Sequence, residues 1–538
     1  MNHGKLFAVS VALIVAVGGF VWGFDATVIS GAVPFIQKYF ALTGDRGDFL
    51  LGLAVSCLGW GVLGGTALAG FFSDRYGRKK VLITTAVFFI VSALLSALTT
   101  NFAIFVSARV LGGIAVGGAI LIAPVYIAEI SPPRLRGGMV SLNQLMIVLG
   151  ISASFFSNYF LLNVGENNWR WMLGMDAIPA MLYFLLLFLV PESPRWLFGQ
   201  GQIEEAKAIL IRACGMEEAG QALLNIRQSF AQKTSAAPAD PLAQVQKVPA
   251  RFITWGKSLL GLVRQMRFVL FIALAIAFFQ QITGINAIFY YLPTIFVQAG
   301  GGINAAFWQA VLVGLVNLGM TFVAIRFVDR LGRKPLLAIG ATGMAVSLLA
   351  CSWAFHVSNY QLTDKSFAAL QADKVPENLI SDLKNAPRPV YTSDKAFITD
   401  LETQLGVDRL KLYRDSLISA GLNIRATLVL VAITSFVASF AISLGPVMWV
   451  LLSEIFPNQH RGMAMSLAGF WNSAVSASVT FIFPWELSHF RPAGTFLGYG
   501  LMAVAALIFI LVFIPETKGK SLEELEHQLL RREHSPRK

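Results

Sequence analysis

The chain has 538 residues, 56% hydrophobic and only 13% charged, against about 25% charged in a soluble protein, which excludes an ordinary water-soluble domain. Its net charge of +12 does not mark a nucleic-acid binder, because the basic residues gather in short loops on one side of a series of apolar stretches. Cys57, Cys214 and Cys351 are scattered and indicate neither a disulfide framework nor a metal site, and no cofactor is expected.

Runs of about 20 apolar residues, each enough to cross a bilayer, recur along the chain. Runs this long and continuous are helices. Twelve spans are predicted, near 6–33, 48–72, 81–99, 102–127, 139–162, 172–190, 268–293, 304–326, 335–356, 425–452, 463–485 and 493–514. The first follows Lys5 and is too long for a signal-peptide core, so it is read as a retained span. It carries Asp25 in GGFVWGFDATVISG, and the fourth carries Arg109 in SARVLGG. Ionisable residues inside a membrane are costly and usually functional. Neither lies near a span end, so the two are expected to pair; protonating Asp25 would release Arg109 and act as a proton switch.

Short loops on one side carry Arg75, Arg78, Lys79, Lys80, Arg134, Arg136, Arg326, Arg330, Arg333, Lys334 and Arg461; those on the other carry Lys38, Arg46, Arg170 and Arg491. The positive-inside rule places the first set, and both termini, in the cytoplasm.

The two halves echo each other. SDRYGRKK (73–80) matches VDRLGRKP (328–335), AEISPPRLRGG (128–138) matches SEIFPNQHRGM (453–463), and PESPRWL (191–197) matches PETKGKSL (515–522), each pair six spans apart. Two repeated six-helix halves imply a binding site near the midplane between them and alternating access by rocking. In DRxGRK the glycine permits a tight turn, and Asp and Arg can bond across helix ends. Asp74, Arg75, Arg78, Glu129, Arg136, Glu192, Arg195, Asp329, Arg330, Arg333, Glu454 and Arg461 are therefore expected to pair and latch the cytoplasmic face. A static stabilising network is the other reading.

Together DRxGRK twice, PESPRWL, PETKGKSLEELE, QQITGINAIFYY and GPVMW resemble the sugar porter family of the major facilitator superfamily, which includes a bacterial proton–xylose symporter and the facilitative glucose carriers. The resemblance covers all twelve spans and the C-terminal segment. It implies an all-α polytopic membrane protein of the major facilitator fold, one monosaccharide site and no chemical reaction. Amide side chains donate and accept, as sugar hydroxyls do, and indole faces stack on pyranose rings. Gln280, Gln281, Asn286, Asn317 and Gln144 match the family's sugar-contacting positions, and Trp449 and Trp471 its aromatic ones; Trp22 replaces an expected Phe, and Phe289, where the xylose symporter has Leu, joins the expected site. Gly284 would let span 7 bend, and Tyr290 and Tyr291 would form an outer gate. Phe470 stands where the relatives carry Gln or Asn; Ile151 and Phe289 look more like the glucose carriers. Asp at position 25 marks the proton-coupled members, the facilitative carriers having Asn. Symport is thus expected, with uniport as the alternative, and the sugar is a hexose such as glucose, with xylose second.

The chain is read as a first half (1–190), a cytoplasmic linker with amphipathic helices (191–267), a second half (268–514) and a cytoplasmic C-terminal helix (515–538). A long polar insertion, 357–424, is expected outside as a small helical cap. A membrane sugar sensor is a further alternative. An enzyme is disfavoured because the six histidines lie at loops, span ends and termini, and an ATP-driven pump because there is no GxxxxGK[ST] loop. The expected partners are a monosaccharide, protons and lipid, with no nucleic acid, in a monomer of the bacterial inner membrane.

Overall fold

A computed structural model describes residues 3–132, 135–235, 266–372, 375–391, 394–456 and 461–518. The first half contains α1 (His3–Tyr39), α2 (Gly44–Tyr76), α3 (Arg78–Leu98), α4 (Phe102–Ile130) and α5 (Arg136–Leu161). Its sixth span is broken at Met175 and Asp176 into α6 (Asn168–Gly174) and α7 (Ala177–Leu187). Helix α4 starts where Asn101 caps it, its side-chain oxygen accepting from the Ala103 and Ile104 N–H groups at 2.8 and 3.3 Å.

The linker contributes α8 (Pro194–Gly199), α9 (Ile203–Cys214) and α10 (Met216–Ser235). These pack on α1, α4 and one another. Arg212 of α9 sits over the Phe7 ring at 4.5 Å. Among the described residues their main packing is thus on the first half alone; residues 236–265 and the end of the predicted C-terminal helix, 519–538, lie outside the description.

In the second half, the seventh span is α11 (Arg267–Ile282), α12 (Ile285–Tyr290) and α13 (Leu292–Gln298), followed by α14 (Ile303–Leu331) and α15 (Arg333–His356). Then come β1 (Asn359–Tyr360), four short helices α16 (Asp364–Ala372), α17 (Glu377–Asn385), α18 (Asp394–Leu405) and α19 (Val407–Gly421), and β2 (Leu422–Asn423). These helices enclose a core of their own, built from Phe367, Leu379, Leu383, Phe397, Leu401 and Leu417 among others. Strands β1 and β2 pair antiparallel at the base, Asn359 opposite Asn423. The tenth span is α20 (Ala426–Ile442) with α21 (Leu444–Ile455), and the chain continues in α22 (Arg461–Phe513).

Among the described residues, eleven helical segments are long and apolar enough to cross a membrane, and the last, α22, holds two spans. Its 53 residues would reach roughly 80 Å as one straight helix. It instead turns sharply at Arg491, whose φ of 60° and ψ of 167° are not helical, giving the eleventh and twelfth spans.

The sequence repeat is a structural repeat. Gly77 and Gly332 end α2 and α14 with φ of 97° and 92°, a region that favours glycine. Next to Gly77 the Glu192 carboxylate accepts from the Arg78 and Lys79 N–H groups at 2.9 and 3.1 Å. Beside Gly332, Glu516 accepts from those of Arg333 and Lys334, both at 3.1 Å. A carboxylate over a helix N-terminus meets unsatisfied donors and the positive end of the dipole. Lys79 and Lys334 complete the match, their ammonium groups donating to Phe188 O and Leu511 O at 3.1 and 2.8 Å. Glu192→Ala strands these N–H groups. It should lower the stability of the first half by about 1–3 kcal/mol, read as a depressed melting midpoint in detergent; an unchanged midpoint would show that the contact adds nothing.

Helices α2 and α4 cross with almost no side chain between them. A Cβ on Gly61 would lie 2.9 Å from Gly113 Cα, and one on Gly65 would lie 2.7 Å from Ile114 Cα. Small residues of this kind let membrane helices approach backbone to backbone.

The two halves touch at the ends opposite the DRxGRK turns. Ser152 Oγ donates to Gly314 O at 2.9 Å, and Tyr159 meets Trp308 at 5.6 Å between ring centroids. Phe49 meets Phe481 at 6.0 Å, and His489 Nε2 lies 3.9 Å from Asp45 Oδ1. At the turn-bearing ends Arg78 pairs with Asp74 and Glu129 of its own half, and Arg333 with Glu454 of its own.

Candidate functional site

The seventh span breaks where the sequence places QQITGIN. Gly284 has a φ of 86°, and a Cβ there would lie 2.6 Å from the Tyr499 ring, so shape and backbone both require glycine. The break turns the amides of Gln280, Gln281 and Asn286 toward the eleventh span. The sequence reading has them bonding sugar hydroxyls or water; in the structure they bond one another and Asn472. Asn472 Nδ2 donates to Ala277 O at 3.0 Å and to Gln280 Oε1 at 2.7 Å. Gln280 Nε2 donates to Leu444 O at 2.8 Å and Gly445 O at 3.4 Å. Gln281 Nε2 donates to Asn472 Oδ1 at 3.1 Å and Gln280 Oε1 at 3.3 Å. Asn286 Nδ2 donates to Gln281 Oε1 at 2.9 Å and Ser476 Oγ at 2.6 Å. Buried amides left without such partners would each cost a few kcal/mol, which is why the group closes on itself.

Asn472 was not singled out by the sequence. It follows Trp471 in an apolar span, where a lone Asn carries little signal. Trp449, Phe470 and Trp471 near it are exposed, at 37, 52 and 41%. Phe289 is buried, its ring 6.3 Å from Phe155 of the first half. Tyr291 is buried against Phe483 at 5.0 Å, and Tyr290 is half-buried beside it. Asn317 is buried, Gln144 exposed and Trp22 intermediate, and among the described residues none of the three hydrogen-bonds to the span-7 amides.

Asp25 and Arg109 meet as the sequence predicts, both side chains 2% exposed. Arg109 Nη1 donates to Asp25 Oδ1 and Nη2 to the Asp25 carbonyl, the latter at 3.0 Å. Asp176, at the break between α6 and α7, is a second buried carboxyl that the sequence reading missed. Neither of its oxygens has a hydrogen-bond partner among the described residues, and it lies within electrostatic reach of Asp25 and Arg109. A signal was available, an Asp within the apolar run 172–190, but it lies near the start of that run, whereas Asp25 lies well inside its span. Ser92 also faces this pair, since a Cβ on Gly112 would touch both Ser92 Oγ and Asp25 Oδ2, at 2.5 and 3.1 Å.

The turn residues form two equivalent clusters. In the first half, Arg78 pairs with Asp74 and Glu129, both at 3.3 Å, and Ser193 Oγ donates to Glu129. In the second, Arg333 pairs with Glu454 at 2.7 Å and Thr517 donates to Glu454 at 2.6 Å. Arg461 donates to Phe456 O at 3.3 Å, Arg75 lies over the Tyr76 ring at 5.6 Å, and the Arg330 carbonyl accepts from Lys518 at 2.6 Å. Arg136 is exposed at the start of α5 and Arg195 half-buried in α8. The Asp329 side chain lies outside the described residues.

The profile of the family described as "Sugar (and other) transporter" matches residues 11–370 and 416–529. The D-xylose–proton symporter of Escherichia coli is 32% identical over 559 aligned positions, covering 98% of this chain and 96% of the relative. The glucose transport protein of Synechocystis is 35% identical over 538 positions, covering 96% and 97%. The Escherichia coli xylose transporter in its inward-open conformation superimposes with a TM-score of 0.71 at 31% identity, over 97% of this chain and 99% of that one.

Proposed function

Because the chain belongs to the sugar transporter family, with the twelve-helix fold of the major facilitator superfamily, we propose that it imports a monosaccharide together with a proton by alternating access. It is a multi-pass membrane transporter rather than an enzyme. The observation that carries proton coupling is the buried Asp25–Arg109 pair with Asp176 beside it. One buried guanidinium and two buried carboxyls lie within electrostatic reach of one another inside the first half, so a single proton completes the charge balance. Moving that proton on or off changes which carboxyl holds Arg109, and thereby the packing of α1, α4 and the sixth span.

The amides of Gln281 and Asn286, with Trp449 and Trp471, are the proposed sugar wall, and Gln280 the residue that ties it to the tenth span. Gln144, Asn317, Trp22 and Phe289 complete it as the halves rock. A hexose such as glucose, with the pentose xylose second, suits the apolar Phe470 and Ile151. The DRxGRK ends and both termini are cytoplasmic in this reading, in the bacterial inner membrane, with the halves at 1–190 and 268–514 acting as rigid bodies in a monomer. The inter-half contacts then close the outer side, Tyr290 and Tyr291 lie at that closure, and the state is open to the cytoplasm. That agrees with the inward-open likeness. In the opposite state the clusters around Glu129 and Glu454 would approach and latch the inner side.

The test is uptake of labelled glucose and xylose into proteoliposomes with and without an inward proton gradient. Accumulation above the external concentration that needs the gradient is expected. Mere equilibration would mean a uniporter, and no flux of either sugar would sink the reading. Gln281→Ala should weaken sugar binding at least about tenfold, since two hydrogen bonds per bound sugar are lost or misdirected at about 1 kcal/mol each. Equilibrium binding by a variant with an unaltered melt checks this; ordinary affinity would remove Gln281 from the site.

A further inference from the structure

The geometry points to Asn472 as a positioning residue that fixes which way each amide of the site faces, so that these amides accept hydrogen bonds from sugar hydroxyls and do not donate to them; this rests on the sugar-site reading above. The oxygen and nitrogen of an amide have nearly the same shape, and their orientation follows from partners whose roles are fixed. Two such partners are backbone carbonyls, which only accept. Ala277 O at 3.0 Å therefore fixes the Asn472 nitrogen, and Leu444 O at 2.8 Å fixes that of Gln280.

The two anchors agree. Gln280 Oε1 is left facing Asn472 Nδ2 at 2.7 Å. The Gln281 atom that faces both Gln280 Oε1 and Asn472 Oδ1, at 3.3 and 3.1 Å, must then be its nitrogen. Its oxygen consequently turns to Asn286, whose nitrogen donates to it at 2.9 Å and to Ser476 Oγ at 2.6 Å. Each amide nitrogen has two hydrogens, and all four nitrogens have two acceptors. What remains toward a ligand is Asn286 Oδ1 and the second lone pair of Gln281 Oε1. The Ser476 hydroxyl hydrogen is the donor left at this end.

Asn472 is the one member that links the backbone anchor on α11 to both glutamines from the eleventh span. Both of its N–H groups and its oxygen are engaged by α11, Gln280 and Gln281, so it acts through them. Remove its amide, and the Gln281 nitrogen keeps a single acceptor, at 3.3 Å, so the N–H that faced Asn472 can turn toward the ligand.

The experiment compares deoxy- and fluoro-glucose series as inhibitors of glucose counterflow, in wild type, Asn472→Leu and Asn472→Ala, neither of which keeps an acceptor for the Gln281 N–H. A fluorine accepts weakly and cannot donate. The ring positions facing Asn286 are those whose deoxy penalty disappears in Asn286→Ala. At these positions, wild type should lose about tenfold or more with either hydrogen or fluorine, fluorine being no better than hydrogen, because an accepting site rejects an analogue that has lost its donor. Both Asn472 variants should raise KM for glucose about tenfold, keep the maximal rate within about twofold, and bind the fluoro analogue better than the deoxy one. The alanine variant is smaller than asparagine and introduces no clash, so it carries the test should the leucine variant fold poorly. Wild type favouring fluoro over deoxy at these positions, or both variants keeping the wild-type order, overturns the inference. Failure of wild type to bind any monosaccharide overturns the sugar reading and this inference with it.

Discussion

Asp25→Asn should abolish accumulation of sugar against its gradient while exchange of labelled for unlabelled sugar continues. Asparagine has the size of aspartate, and its oxygen can still accept from Arg109 Nη1, so the packing around a side chain only 2% exposed is retained. What it cannot do is take up and release a proton. A proton falling through 100 mV provides about 2.3 kcal/mol, or about 40-fold accumulation at 1.4 kcal/mol per decade. In the variant that ratio should fall to about 1. Exchange at equal concentrations needs only the rocking of the halves around loaded sugar, so it should survive. Persistent accumulation by Asp25→Asn, with loss in Asp176→Asn, would move the proton to the sixth span.

Gly61→Val should have the largest effect on the fold. A Cβ at this position would lie 2.9 Å from Gly113 Cα, and the neighbouring atoms are backbone, which cannot swing aside as a flexible side chain can. Valine adds a branched pair of methyl groups in that gap. Overpacking costs about 1–3 kcal/mol where side chains can adjust, and here two helices must separate, so about 3 kcal/mol or more is expected. Arg109 lies one turn before Gly113 on the same face of α4. Separating α2 from α4 therefore disturbs the Asp25 pair as well. Yield of monodisperse protein and the melting midpoint should both fall sharply, with Gly61→Ala between; a valine variant as stable as the parent would mean that the crossing is looser than described.

Much of this architecture was legible because lipid leaves few alternatives. An apolar run of bilayer length has to be a helix, and the DRxGRK and PES/PET turns gave the repeat. Where the sequence was less informative, the reason is specific. The span boundaries missed that α1 continues to Tyr39, because helices extend past the hydrocarbon. The segment ITDLETQLGVDRLKLYRDSLISA reads as one helix, but Gly406, with φ of 77°, divides it into α18 and α19. Arg78, Glu129, Arg333 and Glu454 were identified, but whether they bridge the halves depends on which side is closed, a property of the state rather than of the residues. The span-7 amides were visible as a cluster, whereas their shared partner Asn472 is nearly 200 positions away in the chain (residues 280 and 472) and becomes visible only when the seventh and eleventh spans are folded together.

The paired strands at the foot of the 357–424 insertion have one more consequence. Asn359 and Asn423 stand opposite each other, so the polypeptide leaves the bundle and returns to it at one point. With its own apolar interior, this segment is attached like a branch on a trunk. For protein engineers, that junction is a natural graft site: a rigid particle large enough for single-particle imaging can be spliced there without changing the distance that the chain must cover between the ninth and tenth spans.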